Sequence, residues 1–153
     1  MISTIYLLIK ARKYDRNKGN SKQNIIGIVI LVVTLIFIVG LMYRSVKPTK
    51  VTIQEKGLEI HGMYGDIYSW DSIEEVILIE ELPTIKMRTN GSALGTHLKG
   101  HFIIEEMGSV KLHVNTQYPP FIYLKSDGRS IIFNINNAED SKEIFDEILL
   151  RIK

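Results

Sequence analysis

Residues 25–43 read IIGIVILVVTLIFIVGLMY, nineteen residues with no charge and a single threonine. No other stretch restricts the possible folds as much. A helix rises about 1.5 Å per residue, so this run matches a hydrocarbon core of roughly 30 Å. Burying it inside a soluble protein would need apolar walls on every side, more than the remaining residues can supply. It is therefore read as a transmembrane helix. The basic stretch before it is long, the apolar run exceeds that of a signal peptide, and LMYRSVKP after Gly40 offers no small-x-small cleavage pair. The helix is thus expected to be an uncleaved anchor, closed at the interface by Tyr43 and Arg44 and stopped by Pro48.

Charge divides the chain at the same place. Residues 1–50 hold nine Lys/Arg and one Asp, a balance of +8, whereas residues 51–153 hold ten Lys/Arg and sixteen Asp/Glu, a balance of −6. An acidic domain repels backbone phosphates, so no nucleic-acid partner is expected. Six Lys/Arg precede the span (Lys10, Arg12, Lys13, Arg16, Lys18, Lys22) and four follow it (Arg44, Lys47, Lys50, Lys56). This excess favours a single-pass protein of the cell membrane with its N-terminus inside and residues 51–153 on the non-cytoplasmic side. In Met1–Lys13, the residues Ile2, Ile5, Tyr6 and Ile9 share one helical face. This segment is either an amphipathic helix lying on an anionic leaflet or a solvated arm.

The expected organisation is a basic arm at 1–24, the span at 25–43, a linker at 44–50 and one domain at 51–153. In that domain the pattern changes to short alternating runs: 51–55, 58–62, 66–70, 74–80, 84–89, 101–106, 110–114, 121–125 and 130–135. Turn-like separators such as EKG, GMYG, ELP, EMGS and TQYPP divide them. Asp127-Gly128 between two apolar runs signals a hairpin. Near the end, Ile144, Phe145, Ile148, Leu149 and Ile152 form one apolar stripe of a helix capped by Asn137 or Asp140. Short antiparallel strands followed by one C-terminal helix predict a mainly β barrel, with the helix seated on its open end.

The stretch GLEIHGMYGDIYSWDSIEEVIL (57–78), with Trp70, Asp71 and Ile73, resembles three strands of bacterial pleckstrin-homology-like domains. The hairpin FIYLKSDGRSIIFNI with its trailing helix is similar to the end of the same family. KMRTNGSALG and PPFIYL resemble segments of small membrane-anchored bacterial proteins that carry it. The resemblance implies a pleckstrin-homology-like antiparallel barrel over 51–153 and says nearly nothing of function.

Chemistry is sought mainly in KMRTNGSALGTHLKGHF (86–102). Gly95 and Gly100 have the spacing of a phosphate loop, but His101 and Phe102 stand where Lys and Ser/Thr are needed. His97 and His101 lie four apart, yet Gly100 and the β-rich surroundings disfavour a metal-binding helix. The chain has no cysteine, which excludes thiol catalysis and thiolate metal sites. The pairs Glu74-Glu75, Glu80-Glu81 and Glu105-Glu106 point to opposite faces of a strand and share no site. Acidic neighbours around the first hairpin disfavour anionic-lipid recognition by the domain. No cofactor, metal or nucleotide is therefore expected. Residues 90–100 are read as an ordered loop between strands, with His97 and Lys99 exposed. Arg88, Asn90, Gly91, Leu94, Gly95, His97 and Lys99 are the candidate contacts of a protein or peptide partner. The expected function is a non-enzymatic membrane-anchored binding or scaffolding module, contacting lipid through residues 25–43; the alternative is a small membrane-associated enzyme with an unrecognised site.

Overall fold

The computed structural model describes residues 2–135 and 137–152. Two compact units divide the chain at Tyr43/Arg44. The first is formed by a continuous helix, α1 (Ile2–Ser45), whose last two residues belong to the second unit. Within it, Lys22–Ser45 is long and apolar enough to cross a membrane, and none of that stretch is buried. Ile36 and Phe37 are 67% and 65% exposed, an arrangement that water penalises and lipid does not. The helical face expected of Ile2, Ile5, Tyr6 and Ile9 lies outside the residues whose side chains are described.

The second unit is mainly β. Its strands are β1 (Val51–Ile53), β2 (Gly57–Ile60), β3 (Asp66–Ser69), β4 (Ile73–Ile79), β5 (Ile85–Leu94), β6 (His97–Ile104), β7 (Gly108–Asn115), β8 (Phe121–Ser126) and β9 (Arg129–Phe133), followed by helix α2 (Ala138–Arg151). They form a three-stranded sheet β1-β2-β3 and a six-stranded sheet β4-β8-β9-β7-β6-β5. The expected closed antiparallel barrel does not form. A single 3₁₀ turn, Trp70–Ser72, carries the chain from β3 to β4 in the other sheet. β3 pairs with β2 and β4 with β8, so both sheets keep their edges. One pair, β7 with β9, is parallel.

Curl replaces closure in the larger sheet. β4 and β5 are consecutive in the chain but occupy its opposite edges. A flat six-stranded sheet is roughly 24 Å wide, whereas the extended chain from Ile79 to Ile85 reaches only about 20 Å. The sheet therefore bends, and Ile79 and Ile85 both pack against the cluster of Phe102, Leu112, Val114, Phe121 and Ile132 on its inner face.

The other face carries a second cluster of Leu58, Ile60, Tyr68, Ile122, Leu124, Ile131, Phe133 and Ile148. The small sheet supplies Leu58, Ile60 and Tyr68, and α2 supplies Ile148, with Ile144, Phe145 and Ile152 packed alongside. α2 contacts β4 and β8, so it lies on the sheet rather than plugging a barrel end. Asn137 caps it by accepting a hydrogen bond from the Asp140 amide at 2.8 Å. The β8–β9 hairpin turns at Asp127-Gly128, both with positive φ, as a type I′ turn demands.

Candidate functional site: a polar seam beside the small sheet

Residues 90–100 are strand, not loop. β5 and β6 pair from Ile85↔Ile104 to Leu94↔His97, leaving only Gly95 and Thr96 as the turn. Gly95, at φ 56°, opens that turn in the way a Gly-X two-residue hairpin does. Gly91 faces Gly100 across the ladder. Their φ values are 125° and 123°. A Cβ on Gly91 would sit 2.2 Å from the Lys99 carbonyl oxygen, and one on Gly100 would sit 2.4 Å from that of Asn90. Two backbones thus cross where no side chain fits, and this close approach explains the glycine content of the segment.

The expected contact residues consequently scatter. Arg88 and Asn90 are exposed on β5, on either side of a register shift. The Asn90 Oδ1 accepts a 3.4 Å hydrogen bond from the Tyr64 hydroxyl. Leu94 is half-buried at the strand end. His97 and Lys99, expected to be exposed, are half-buried. Lys99 donates to the Lys47 backbone carbonyl and so ties down the segment after α1. Burial lowers the Lys99 pKa; burial and then the nearby Lys99 charge lower that of His97.

Pairing of β6 with β7 creates a feature invisible in either strand alone. Along β6 the residues His97, Lys99 and His101 share one face, since side chains alternate. They stand opposite Asn115, His113 and Lys111 of β7, and Ser109 continues the row. The result is a polar seam on an otherwise apolar sheet, covered by the segments around Thr49 and Tyr64–Asp66. Thr49 donates through Oγ1 to the His113 carbonyl at 2.9 Å. His113, 2% exposed, donates through Nε2 to the Tyr64 carbonyl at 3.1 Å. Burial, then the Lys111 charge, push His113 down to about 4 despite that bond.

The seam opens at two ends. One end is a cavity of about 310 Å³ lined by Thr49, His97, Asn115, Tyr118 and Asn134 among others. Asn134, 1% exposed, donates to the carbonyls of Asn115 and Tyr118 at 2.8 and 2.5 Å and accepts from the Asn115 amide at 2.8 Å. It therefore spends its hydrogen-bonding capacity on holding the wall.

The other end is a cleft of about 250 Å³ lined by Tyr68, His101, Ser109, Lys111, Arg129 and Ser130 among others. Asp66 Oδ2 receives both Lys111 Nζ at 3.3 Å and Arg129 Nη1 at 3.2 Å. Burial would raise the Asp66 carboxyl, but the Ile67 amide, Lys111 and Arg129 outweigh it and hold the pKa below the usual value. Tyr68 is 1% exposed, and its hydroxyl has no hydrogen-bond partner among the described residues. Burial, reinforced by Asp66, raises it to about 12, so it is a neutral donor at physiological pH.

Sequence reasoning assigned His113 to a strand but missed the seam and the Tyr68 cleft. The available signal was the polar residue at every second position in both HLKGH and SVKLHVN. Among the described residues, no three metal-capable side chains converge. Comparison with protein-family models, with curated proteins and with solved structures finds no match to this chain.

Proposed function

We propose that the protein is a membrane-anchored, non-enzymatic recognition module whose β domain binds a protein or peptide close to the bilayer. One observation carries this reading. An apolar helix with its side chains uncovered is joined to a separate unit that buries its own core and leaves a polar seam open at two clefts. The helix calls for lipid, and the clefts suit a partially polar polypeptide surface. Anchoring raises the domain's effective concentration near a membrane-bound partner. The charge excess before the span favours a non-cytoplasmic domain at the cell membrane. We read the domain as an opened variant of the pleckstrin-homology-like plan, on the strength of its strand series closed by one C-terminal helix; the parallel β7–β9 pair departs from that plan.

The test has two steps. Membranes from cells expressing the full chain are washed with alkaline carbonate, and a photo-crosslinker replaces the exposed Ser109 at the cleft edge. The chain is expected to stay in the pellet and to form a discrete adduct that excess unlabelled protein competes away. Release into the supernatant refutes the anchor, and adducts that resist competition refute recognition.

A further inference from the structure

The Tyr68 cleft has a surplus of donors. A single carboxylate oxygen, Asp66 Oδ2, serves both Lys111 and Arg129, although an ammonium carries three N–H donors and a guanidinium five. The buried Tyr68 hydroxyl adds a donor with no acceptor among the described residues. Leaving such a group unmatched costs stability, and Tyr68, although part of the core cluster, also borders the cleft. Ser109, exposed and on the same strand face as Lys111, completes the lining.

Charge selects the ligand. Lys111 and Arg129 against Asp66 leave the inner cleft with one net positive charge, which suits a monoanion. The phosphate dianion would exceed that single surplus charge, and Asp127, 3.8 Å from Arg129 at the rim, would repel it further. We propose that this cleft is a carboxylate site, taking the side-chain or terminal carboxylate of an acidic peptide segment on Tyr68, Lys111 and Arg129 beside Asp66. The proposal rests on the peptide-recognition reading above and gives it a chemistry. The neutral Tyr68 hydroxyl donates one hydrogen bond, and the two cations supply charge-assisted ones.

The full chain in neutral detergent micelles, carrying ring-labelled tyrosine, is titrated at mildly alkaline pH, where inorganic phosphate is the dianion, with Ac-Gly-Glu-Gly-NH₂, with Ac-Gly-Gln-Gly-NH₂ and with inorganic phosphate. The Tyr68 ring resonance is identified by its loss in Tyr68→Phe. The Glu peptide is expected to move that resonance saturably, at least tenfold more tightly than the Gln peptide or phosphate. Lys111→Gln and Arg129→Gln should each weaken binding about tenfold, with Trp70 fluorescence confirming an intact domain. Tyr68→Phe should abolish most of the affinity, followed by calorimetry, yet raise the urea midpoint of the ligand-free protein because an unmatched buried hydroxyl is gone. Equal binding of the two peptides, tighter binding of phosphate, or a lowered urea midpoint in Tyr68→Phe would overturn the proposal. Partner capture at position 109 that survives both Tyr68→Phe and Lys111→Gln overturns the carboxylate site and leaves recognition standing. Absence of capture with the Glu titration intact does the reverse.

Discussion

Acidification should weaken the β domain through one side chain, His113. The imidazole is enclosed between the sheets, donates to the Tyr64 carbonyl and has Lys111, Lys99 and His101 as like-charged surroundings. Its pKa falls from an ordinary 6.5 to about 4. Between those values the unfolded chain binds a proton that the folded chain refuses. Stability is thus fully present above pH 6.5 and is lost as pH drops toward 4. The full shift corresponds to about 3 kcal/mol, and about 2.5 kcal/mol of that is gone by pH 4.5. For a small domain this is a large fraction of the total. His113→Gln keeps a donor for Tyr64 and removes the titration. Urea unfolding of the full chain in micelles, at pH 7 and pH 4.5, is read from the fluorescence of Trp70, the sole tryptophan, which lies in the β unit. Wild type should lose about 2.5 kcal/mol more than His113→Gln over that interval. Losses by other groups, His97 included, cancel in the comparison. Equal losses in the two proteins would refute the assignment of a buried, neutral His113.

Three further outcomes follow from the packing. Gly91→Val and Gly100→Val should each destabilise the domain by about 2 kcal/mol or more in the same urea assay, because each new Cβ meets backbone that cannot rotate away. Ile148→Ala, which empties a fully buried position of α2, should cost about 3 kcal/mol, whereas Leu150→Ala, 74% exposed, should change stability by less than about 0.5 kcal/mol. Asn137→Ala removes the α2 cap and should cost about 1 kcal/mol, restored by Asn137→Asp.

Local pattern was sufficient for most of the fold. The alternating runs and their turn separators marked seven of the nine described strands within a few residues and only part of β5 and β6, and the spacing of Ile144, Phe145 and Ile148 marked α2. The failure at 90–100 has a physical cause. Glycine there serves a crossing of two paired strands, and the same residue in Asn90-Gly91 also looks like a turn. Barrel closure was overcalled because ladder bonds between distant strands leave no local trace; the actual β7–β9 pairing is parallel and non-local. The candidate site suffered likewise. His97 and Lys99 lie on the seam, but Tyr68 gains meaning only when β3, β7 and the β8–β9 turn converge on it. A hydroxyl without a partner is a property of the assembled structure alone.

The Gly91–Gly100 crossing also limits how this chain can change over generations. A large side chain is usually tolerated if its neighbour shrinks, but here each glycine confronts main chain, which has nothing to shrink. The two positions cannot compensate for one another and must be inherited together. Glycines nine residues apart about a two-residue turn should therefore vary less than the surrounding sequence. In distant chains whose other residues have diverged, that pair, ahead of a polar-alternating strand, is the mark of descent to seek.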